Sequence, residues 1–330
     1  MKETVYILNS GELKRKNNTL YLEGKEENNY IPINDIAEIY ILGEVSVTKK
    51  AFELCTKEHI ILHFYNYHEY YVGSYYPREH YNSGYMILKQ AEYYIDLEKR
   101  KQLAMTFIKG SANNILQVLK YYASRGKKVT EMASHIQELL DNLGSMQTIE
   151  QMMAIEGNIR ETYYTAFDEI LENDAIKFDK RSKRLPQNKL NSLISFENTL
   201  LYTCVLGEIY HTHLDPRIGY LHSTNNRRFT LNLDVAEIFK PILVDRLFLG
   251  LISKKMLNSK HFDVKPEGVL LNEEGKKIFI EKWNDKLKTT INHKVLKRDV
   301  SYKTLIRLEL YKLQKHCMGE QNYEPFKSSW

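Results

Sequence analysis

Histidine and carboxylate side chains that could bind a metal are concentrated between residues 211 and 240. The letters LDPRIGY indicate a turn, because proline fixes φ and glycine accepts the positive φ that a tight loop may need, and His222 follows this turn. Asp234 and Glu237 interrupt a mostly apolar stretch three residues apart, so in a helix they would share one face. Two neighbouring carboxylates repel each other and raise each other's pKa unless a cation lies between them. The pattern suggests a metal site with one imidazole and one or two carboxylates.

The same residues allow a plain structural interpretation. Asp234 could cap the start of the helix, Glu237 could face solvent, and His222 could be a loop histidine with satisfied hydrogen bonds. On this stretch alone, the structural interpretation is the more common outcome for such residues.

A second acidic position lies on a predicted helix that begins near Thr148, where Thr148 to Gln151 resembles a capping box. Glu156 and Arg160 fall on the same helical stripe as its apolar residues. A carboxylate on a buried stripe costs several kcal/mol unless it is paired or binds a metal, so a Glu156–Arg160 ion pair is the alternative. Gly157 argues against that alternative, because a glycine inside a helix costs about 0.8–1 kcal/mol and usually marks the close approach of another group.

Two kinds of segment must position these residues. Before about residue 85, short runs of β-branched and aromatic residues alternate with turns, which predicts an antiparallel, sandwich-like domain. Later apolar residues recur at helical spacing, apart from loops near 177–189 and 211–230 and a piece around 263–275 without clear helical spacing. We therefore expect an α+β protein with a β-rich N-terminal domain over 1–89 and a larger, all-helical domain over 90–330, which would hold the candidate metal site.

The composition is that of an ordinary globular protein, with 330 residues, 43% hydrophobic and 27% charged. No apolar run approaches the roughly 18 residues of a membrane span, and the first residues lack the features of a signal peptide, so we expect a cytoplasmic protein without membrane contact. Three widely spaced cysteines support neither a disulfide framework nor a thiolate zinc site. The net charge of +5 is uneven: residues 1–90 have 10 basic and 12 acidic side chains, whereas 91–330 have 37 and 30. The basic surplus of the second part is compatible with a polyanionic partner.

Several spaced motifs resemble one known family. They are EGNIR from Glu156, NTLLY from Asn198, LDPRIGYLH ending at His222, and DVAEIFKP from Asp234, with GELKRKNNTL and LGEVSVT near the start, Gln90-Ala91 and, near the end, YEPF. Their order resembles that of the CRISPR-associated protein one family, the metal-dependent DNA integrase of CRISPR adaptation, over nearly the whole chain. The resemblance implies a protein that joins short DNA fragments into a CRISPR array by attack of a DNA 3′-hydroxyl on a phosphodiester.

The resemblance also implies the site and the partners. Glu156, His222 and Glu237 would be the catalytic metal ligands, Asp234 would support them from a neighbouring position, and Lys240 would face DNA. Two carboxylates and one imidazole suit Mg²⁺ or Mn²⁺. The expected partners are double-stranded DNA, a second copy of this chain bound through the β-rich domain, and the small adaptation partner of the Cas two family.

The basic loop from Lys177 to Arg184 holds five cations and one acid, and Arg227 and Arg228 lie in the loop between His222 and Glu237. Although such runs are usually solvated, a nearby DNA site makes phosphate contacts a reasonable prediction for Arg181, Lys183, Arg184, Arg227 and Arg228.

Two other functions stay open at this stage. One is a zinc hydrolase that would use His211 and His213, with Asp215 as a third ligand, although no HExxH or similar pattern accompanies them. The other is a non-catalytic scaffold of the same fold that binds nucleic acid.

Overall fold

The computed structural model describes residues 2–24, 28–77, 81, 83–178, 180–182, 185–224, 229–293 and 295–328. The chain divides into two compact units, Met1–Tyr81 and Asn82–Trp330. The expected boundary after residue 89 lies inside a helix that begins at Gly84, where the Ser83 hydroxyl accepts a hydrogen bond from the Met86 amide. This N-terminal cap starts the helical part of the chain a few residues earlier than the apolar periodicity indicates.

The first unit contains eight described strands and one helix. They are β1 (Glu3–Ile7), β2 (Gly11–Lys16), β3 (Thr19–Gly24), β4 (Asn28–Ile31), β5 (Ile36–Ile41), β6 (Val45–Val47), α1 (Lys49–Glu58), β7 (Ile61–Tyr65) and β8 (Tyr71–Tyr75). The strands form two four-stranded sheets, in the orders β1-β5-β7-β8 and β4-β3-β2-β6. The predicted strand-rich domain is thereby confirmed.

The prediction of a purely antiparallel domain is wrong. β5 lies parallel to both β1 and β7, and β2 lies parallel to β6. The chain passes through α1 between β5 and β7, and such a crossover returns a strand in the same direction. Leu13, Leu20, Ile39, Leu54 and Leu62 are fully buried in the core of this unit. Each such side chain contributes about 1.5–3 kcal/mol through removal from water.

The second unit is mostly helical. Its described helices are α2 (Gly84–Ile95), α3 (Leu97–Ala123), α4 (Thr130–Asn142), α5 (Ile149–Leu171), α6 (Lys189–Ile209), α7 (Leu231–Lys240), α8 (Arg246–Ser253), α9 (Glu273–Lys288) and α10 (Tyr302–Cys317). The prediction of an all-helical domain is wrong in one respect, because two short hairpins are present: β9 (Phe262–Lys265) with β10 (Gly268–Leu271), and β11 (Thr290–His293) with β12 (Arg298–Ser301). Each hairpin has only four residues per strand, too few to show a clear alternating pattern.

Helix α3 holds α7 and the C-terminal segment in place. The Asn114 side-chain amide donates to the carbonyl oxygens of Ile238 at 2.9 Å and Phe326 at 3.0 Å. A Cβ on Gly110 would lie 2.7 Å from Cβ of Pro325, so glycine is needed for this close packing. The chain leaves α7 through a π-helical turn, Pro241–Asp245, because Pro241 has no N–H to continue the α-helical bonds. The helix that carries Asp234 and Glu237 is therefore anchored at its C-terminal end.

Among the described residues, no helix is both long and apolar enough to cross a membrane.

Candidate active site

Asp234 ties the loop before α7 to that helix. Its Oδ2 accepts hydrogen bonds from the amides of Tyr220 at 2.6 Å and Leu221 at 3.1 Å, and its Oδ1 accepts one from the amide of His222 at 2.9 Å. The carboxylate is completely buried. Asp234 therefore does not cap its own helix, as the structural alternative assumed, but fixes the backbone of the loop that carries His222.

Gly219 allows this loop to approach the start of α7. A Cβ at this position would lie 2.7 Å from the carbonyl carbon of Thr230 and 2.9 Å from the amide nitrogen of Leu231. Gly219 does not have a positive φ, so the expected reason for the glycine is wrong. Close backbone contact is the reason instead, since any side chain would push the loop off the helix.

His222 is oriented by the same carboxylate. Its Nδ1 lies 2.8 Å from Oδ1 of Asp234, and because a carboxylate can only accept, Nδ1 donates and Nε2 is left to bind another group. Burial disfavours the charged imidazole, but the hydrogen bond and charge of Asp234, together with the charge of Glu156, outweigh burial and raise the pKa of His222. A carboxylate behind an imidazole is the usual support of a metal-binding histidine.

Glu237 lies on α7 in a pocket of donors. Its Oε1 accepts from the Tyr202 hydroxyl at 3.0 Å and the Lys240 ammonium at 3.2 Å, while its Oε2 contacts the Arg160 guanidinium. Only 5% of the residue is exposed. The alternative in which Glu237 faces solvent is therefore wrong, and two buried cations and a tyrosine hold its carboxylate.

Glu156 reaches the same place from α5. The predicted capping box at the start of this helix is confirmed, with the Thr148 hydroxyl accepting from the Gln151 amide at 3.2 Å. Oε1 of Glu156 lies 3.6 Å from Nε of Arg160, so the ion pair considered from the sequence is present. Because Arg160 also contacts Glu237, one guanidinium bridges two of the three expected ligands.

Glu156, His222 and Glu237 have the types of ligand atom that a divalent metal ion binds, but their present positions hold no compact cluster. Within the described part of the chain, Glu156, His222 and Glu237 do not place one ligand atom each within 4.8 Å of one another. The two carboxylates face Arg160, and the imidazole has Nε2 available. A Cβ on Gly157 would meet no atom within 4 Å, so the backbone beside Glu156 is open to an incoming group. Two carboxylates and an oriented imidazole fit Mg²⁺ or Mn²⁺, provided that Glu237 exchanges its bonds to Arg160 and Lys240 for the metal.

Two further carboxyl groups lie in the protein interior and interact with the cations of the site. Glu197 and Asp245 are both completely buried. Burial, followed by the charge of Asp245, raises the pKa of Glu197 well above its ordinary value. Burial also raises the pKa of Asp245 to about 6, although Arg160 and Lys240 favour its charged form. Arg160 and Lys240 therefore interact with acidic groups both at the site and in the interior.

The residues expected to contact DNA have varied surroundings. Lys240 is only 4% exposed, and its ammonium lies at Glu237 and the Tyr202 hydroxyl. Arg181 donates to the side chains of Asn191 at 3.0 Å and Ser195 at 3.2 Å, which holds its guanidinium against α6. Lys183, Arg184, Arg227 and Arg228 lie outside the described residues. A phosphate would thus have to enter the site to reach Lys240.

His211, His213 and Asp215 do not come together as the zinc alternative requires. In the described structure, His211, His213 and Asp215 do not place ligand atoms within 4.8 Å of one another. Asp215 is instead bound by the guanidinium of Arg217, with Nε at 2.9 Å and Nη2 at 2.5 Å. That bidentate pair leaves Asp215 without the free carboxylate that a zinc ligand needs.

Tyr202 is a site residue that the sequence pattern does not identify. It belongs to the NTLLY motif on α6 and donates to Glu237. With 24 tyrosines in the chain, nothing in its spacing separates this hydroxyl from tyrosines that only pack. The sequence likewise indicates Arg160 only as a partner of Glu156, because its contact with Glu237 joins residues 77 positions apart.

Comparisons with known proteins identify a family. The family model described as CRISPR associated protein Cas1 matches residues 5–285. A relative from Thermodesulfovibrio yellowstonii, named CRISPR-associated endonuclease Cas1 2, is 55% identical over 330 residues and covers 100% of both chains. The resemblance found in the spaced motifs is thereby confirmed.

Solved structures agree with the fold. A Cas1 protein from Thermotoga maritima is 45% identical, covers 98% of this chain and 99% of its own, and superposes with a TM-score of 0.86. A casposase bound to its integration product is 18% identical, covers 99% of this chain and 94% of its own, and has a TM-score of 0.88. The second likeness shows a shared fold alone.

Proposed function

The chain belongs to the Cas1 family of CRISPR-associated proteins, and from that membership we propose that it is a divalent-metal-dependent DNA endonuclease and integrase that inserts short DNA fragments into a CRISPR array. One observation carries the proposal. Glu156 and Glu237 are 81 residues apart on two helices and meet at Arg160, and the charge of Glu156, with that of Asp234, raises the pKa of His222. Only folding brings these three segments together.

Glu156, His222 and Glu237 would hold Mg²⁺ or Mn²⁺, with Asp234 orienting His222 through the 2.8 Å contact. When bound, the metal would polarise a phosphodiester and lower the pKa of the attacking oxygen. The exchange of Arg160 and Lys240 for a metal at Glu237 would leave both cations beside the reaction centre. There they would stabilise negative charge that develops on the phosphate.

The reaction that follows from this arrangement is an exchange of phosphodiester bonds. The 3′-hydroxyl oxygen of a fragment would form a new P–O bond, and the bond to the 3′ oxygen of the target strand would break. The proton lost by the attacking hydroxyl is regained by the leaving 3′ oxygen, so no energy-rich cofactor is needed. Water in place of the 3′-hydroxyl would give a nick instead.

The expected assembly is a homodimer formed through the β-rich unit and bridged to a second dimer by the small Cas two partner. Support for self-association comes from exposed apolar side chains near the β7–β8 hairpin: Tyr67, Tyr70 and Val72 are 61%, 46% and 66% exposed. Apolar side chains clustered on a surface commonly mark a site of protein contact.

A strand-transfer assay tests the proposed function. The protein would be mixed with the small partner, a labelled fragment and a repeat-containing plasmid, with Mn²⁺ or with EDTA. We expect the label to join the plasmid only with metal and only when the fragment ends in a 3′-hydroxyl rather than a 3′-deoxy sugar. Joining in EDTA would refute the metal dependence. Binding without nicking or joining under any of these conditions would favour the non-catalytic scaffold.

A further inference from the structure

A basic cavity lies on the second unit, away from the residues described above. It measures about 570 Å³ and is lined by the cations Arg246 and Lys254 near α8 and Lys282 and Lys286 on α9, with Asp285 as its one carboxylate. That volume falls within the usual range for ligand-binding pockets, about 300–1,000 Å³. Lys282 pairs with Glu281 at 2.7 Å and with Asp285 at 3.2 Å, so the positive potential of the concave surface comes mainly from Arg246, Lys254 and Lys286.

Two of these cations have no acidic partner among the described residues. Lys254 is exposed and forms no ion pair with a described carboxylate, and neither does Lys286. The Lys286 ammonium lies instead 4.6 Å from the centre of the Tyr302 ring. Burial, together with the nearby Arg246 charge, lowers the pKa of Lys286 to about 8. The negative charge of an anion in the cavity would oppose this shift, because it favours the charged ammonium.

The rest of the cavity is shaped to admit a group. Arg246 stacks on Tyr121, with 4.4 Å between its guanidinium carbon and the ring centre, which orients this cation. Gly250 lies on the cavity side of α8, and a Cβ there would meet no atom within 4 Å. A glycine inside a helix is less favourable than an alanine, because it loses more backbone freedom on folding. Packing within the described chain does not require this one.

The cavity and the active site lie along one stretch of helix. Arg246 follows Glu237 by nine residues, through the rest of α7 and the π-helical turn. At about 1.5 Å per residue the two positions are about 14 Å apart along the helix axis. That is about four base-pair steps at 3.4 Å per step of one strand. At 3.6 residues per turn, nine residues make about two and a half turns, so Arg246 leaves the helix on a different side from Glu237. A strand that contacts both positions would have to pass around the helix.

We propose that this cavity between α8 and α9 binds the sugar–phosphate backbone of a nucleic-acid strand, as a contact additional to the active site. The shared chemistry is the phosphodiester anion, which Arg246, Lys254, Lys282 and Lys286 would neutralise. The inference rests on the proposed nucleic-acid substrate, so binding is measured without turnover. A failure of strand transfer and a failure of this contact then remain distinguishable.

The first test removes charge. Fluorescein-labelled single-stranded and duplex oligonucleotides would be titrated in EDTA over a range of salt concentrations. A double variant, Lys254→Gln with Lys282→Gln, should weaken binding about tenfold at 0.15 M salt. It should also flatten the log–log salt slope by about 0.7 per lost phosphate on single strands or about 0.9 on duplex. The strand type with the larger change identifies the natural occupant.

The matched control is Lys260→Gln with Lys277→Gln. These lysines are 65% and 59% exposed, lie outside the cavity and carry the same total charge. We expect less than a twofold change in affinity. Equal losses in the two double variants would mean that only the overall charge matters, and would overturn the proposal.

The second test keeps the charge constant. Gly250→Leu should fill the cavity and weaken oligonucleotide binding several-fold, whereas Gly250→Ala should bind as the wild type does; thermal unfolding of both would verify folding. Undiminished binding by Gly250→Leu would contradict the proposal. So would competition by polyglutamate as effective as that by an oligonucleotide of equal charge, because an acidic protein would then be the better occupant. Wild-type protein that binds no nucleic acid would overturn the proposed function as well.

Discussion

Arg160 is the residue on which the charge balance of the site depends. Its side chain is 10% exposed and contacts Glu156, Glu237 and the Ser111 hydroxyl. A buried cation that loses its partners costs about 3–5 kcal/mol, so this guanidinium needs at least one carboxylate. The ion-pair and metal interpretations of Glu156 are therefore compatible, because Arg160 would keep the two carboxylates together until a metal replaces it at Glu237.

The two carboxylates should differ in what they contribute to stability. Glu156→Gln leaves Arg160 paired with Glu237, so we expect thermal unfolding close to that of the wild type but loss of Mn²⁺-dependent strand transfer. Glu161→Gln, an exposed change on the same helix, is the matched control and should remain active. Full activity of Glu156→Gln would remove this residue from the metal site.

Glu237→Ala should instead destabilise the fold, by about 3–5 kcal/mol, because it leaves Arg160 and Lys240 buried with fewer acidic partners. Adding Arg160→Met should recover part of that loss, and a double-mutant cycle on urea unfolding would measure the coupling at about 0.5–3 kcal/mol. Additive effects would show that the contact between Arg160 and Glu237 does not stabilise the protein.

Asp234→Asn tests the support of His222. The amide nitrogen of asparagine would face one of the backbone N–H donors, and its weaker acceptor would no longer hold Nδ1 of the imidazole as firmly. We expect Mn²⁺ affinity, measured by calorimetry, and strand transfer to fall about 10–100-fold.

A His222→Ala variant should lose activity altogether, so equal activity of this variant and the wild type would exclude the imidazole as a ligand.

At the scale of elements, local patterns predict more than long-range pairing. The capping box at Thr148 and the helix that carries Asp234 and Glu237 could be predicted because their signals lie within a few residues. The parallel pairing of β5 with β1 and β7 could not be predicted, because the sequence of one strand does not specify which strands lie next to it. The contact of Arg160 with Glu237 and the hydrogen bond from Tyr202 could not be predicted either, because each joins residues that are far apart in the sequence.

Gly219 and Gly157 show the same limit at single positions. The sequence indicates that both positions require glycine, but it does not indicate why. The structure shows a close backbone contact at Gly219 and open space beside Gly157. Four of the predicted DNA contacts lie in segments outside the described residues, so those four stay predictions.

Helix α9 carries a cation that should destabilise the unliganded protein. Lys286 faces Arg246, Lys254, Lys282 and Asp285 in the cavity and Tyr302 on α10. Burial lowers its pKa to about 8 from an ordinary 10.5, so the folded state binds this proton less tightly than the unfolded state does. The penalty is full below pH 8 and disappears as pH rises toward 10.5.

Lys286→Met should therefore stabilise the protein at pH 7, and its advantage over the wild type should shrink between about pH 8 and 10.5. Comparing urea unfolding of the two proteins across this range cancels the titration of the other lysines and tyrosines. An advantage that did not change with pH would mean that packing, rather than the buried charge, is responsible.

At the scale of the whole molecule, charge divides between the two units. The basic surplus lies after residue 90, in the part of the chain that carries the candidate active site and the cavity, whereas residues 1–90 are slightly acidic. Affinity for DNA should consequently fall steeply with salt, by about 0.9 log units per log unit of salt for each phosphate neutralised on duplex. Lys240→Ala and Arg181→Ala should flatten that slope in an anisotropy titration, and an unchanged slope would mean that neither cation contacts phosphate.

Self-association is the property expected of the β-rich unit. β8 forms one edge of its described sheet, and an edge strand with unpaired backbone groups and exposed apolar side chains favours pairing with another chain. Val72 on β8 is 66% exposed, beside the exposed Tyr67 and Tyr70. A symmetric dimer would place the same strand of both copies in contact, so each copy would cover the other's apolar side chains.

Val72→Glu should therefore shift the dimer to monomer, because two carboxylates would face each other across the symmetric contact. Val264→Glu on β9 makes the same change at a position that is 69% exposed in the second unit, and it should leave the dimer intact. Light scattering at micromolar concentration would measure the mass of each protein. A wild-type mass of one chain, 39.0 kDa, would rule out the homodimer. Equal dissociation of both variants would place the contact elsewhere, since the two substitutions add the same charge and differ only in position.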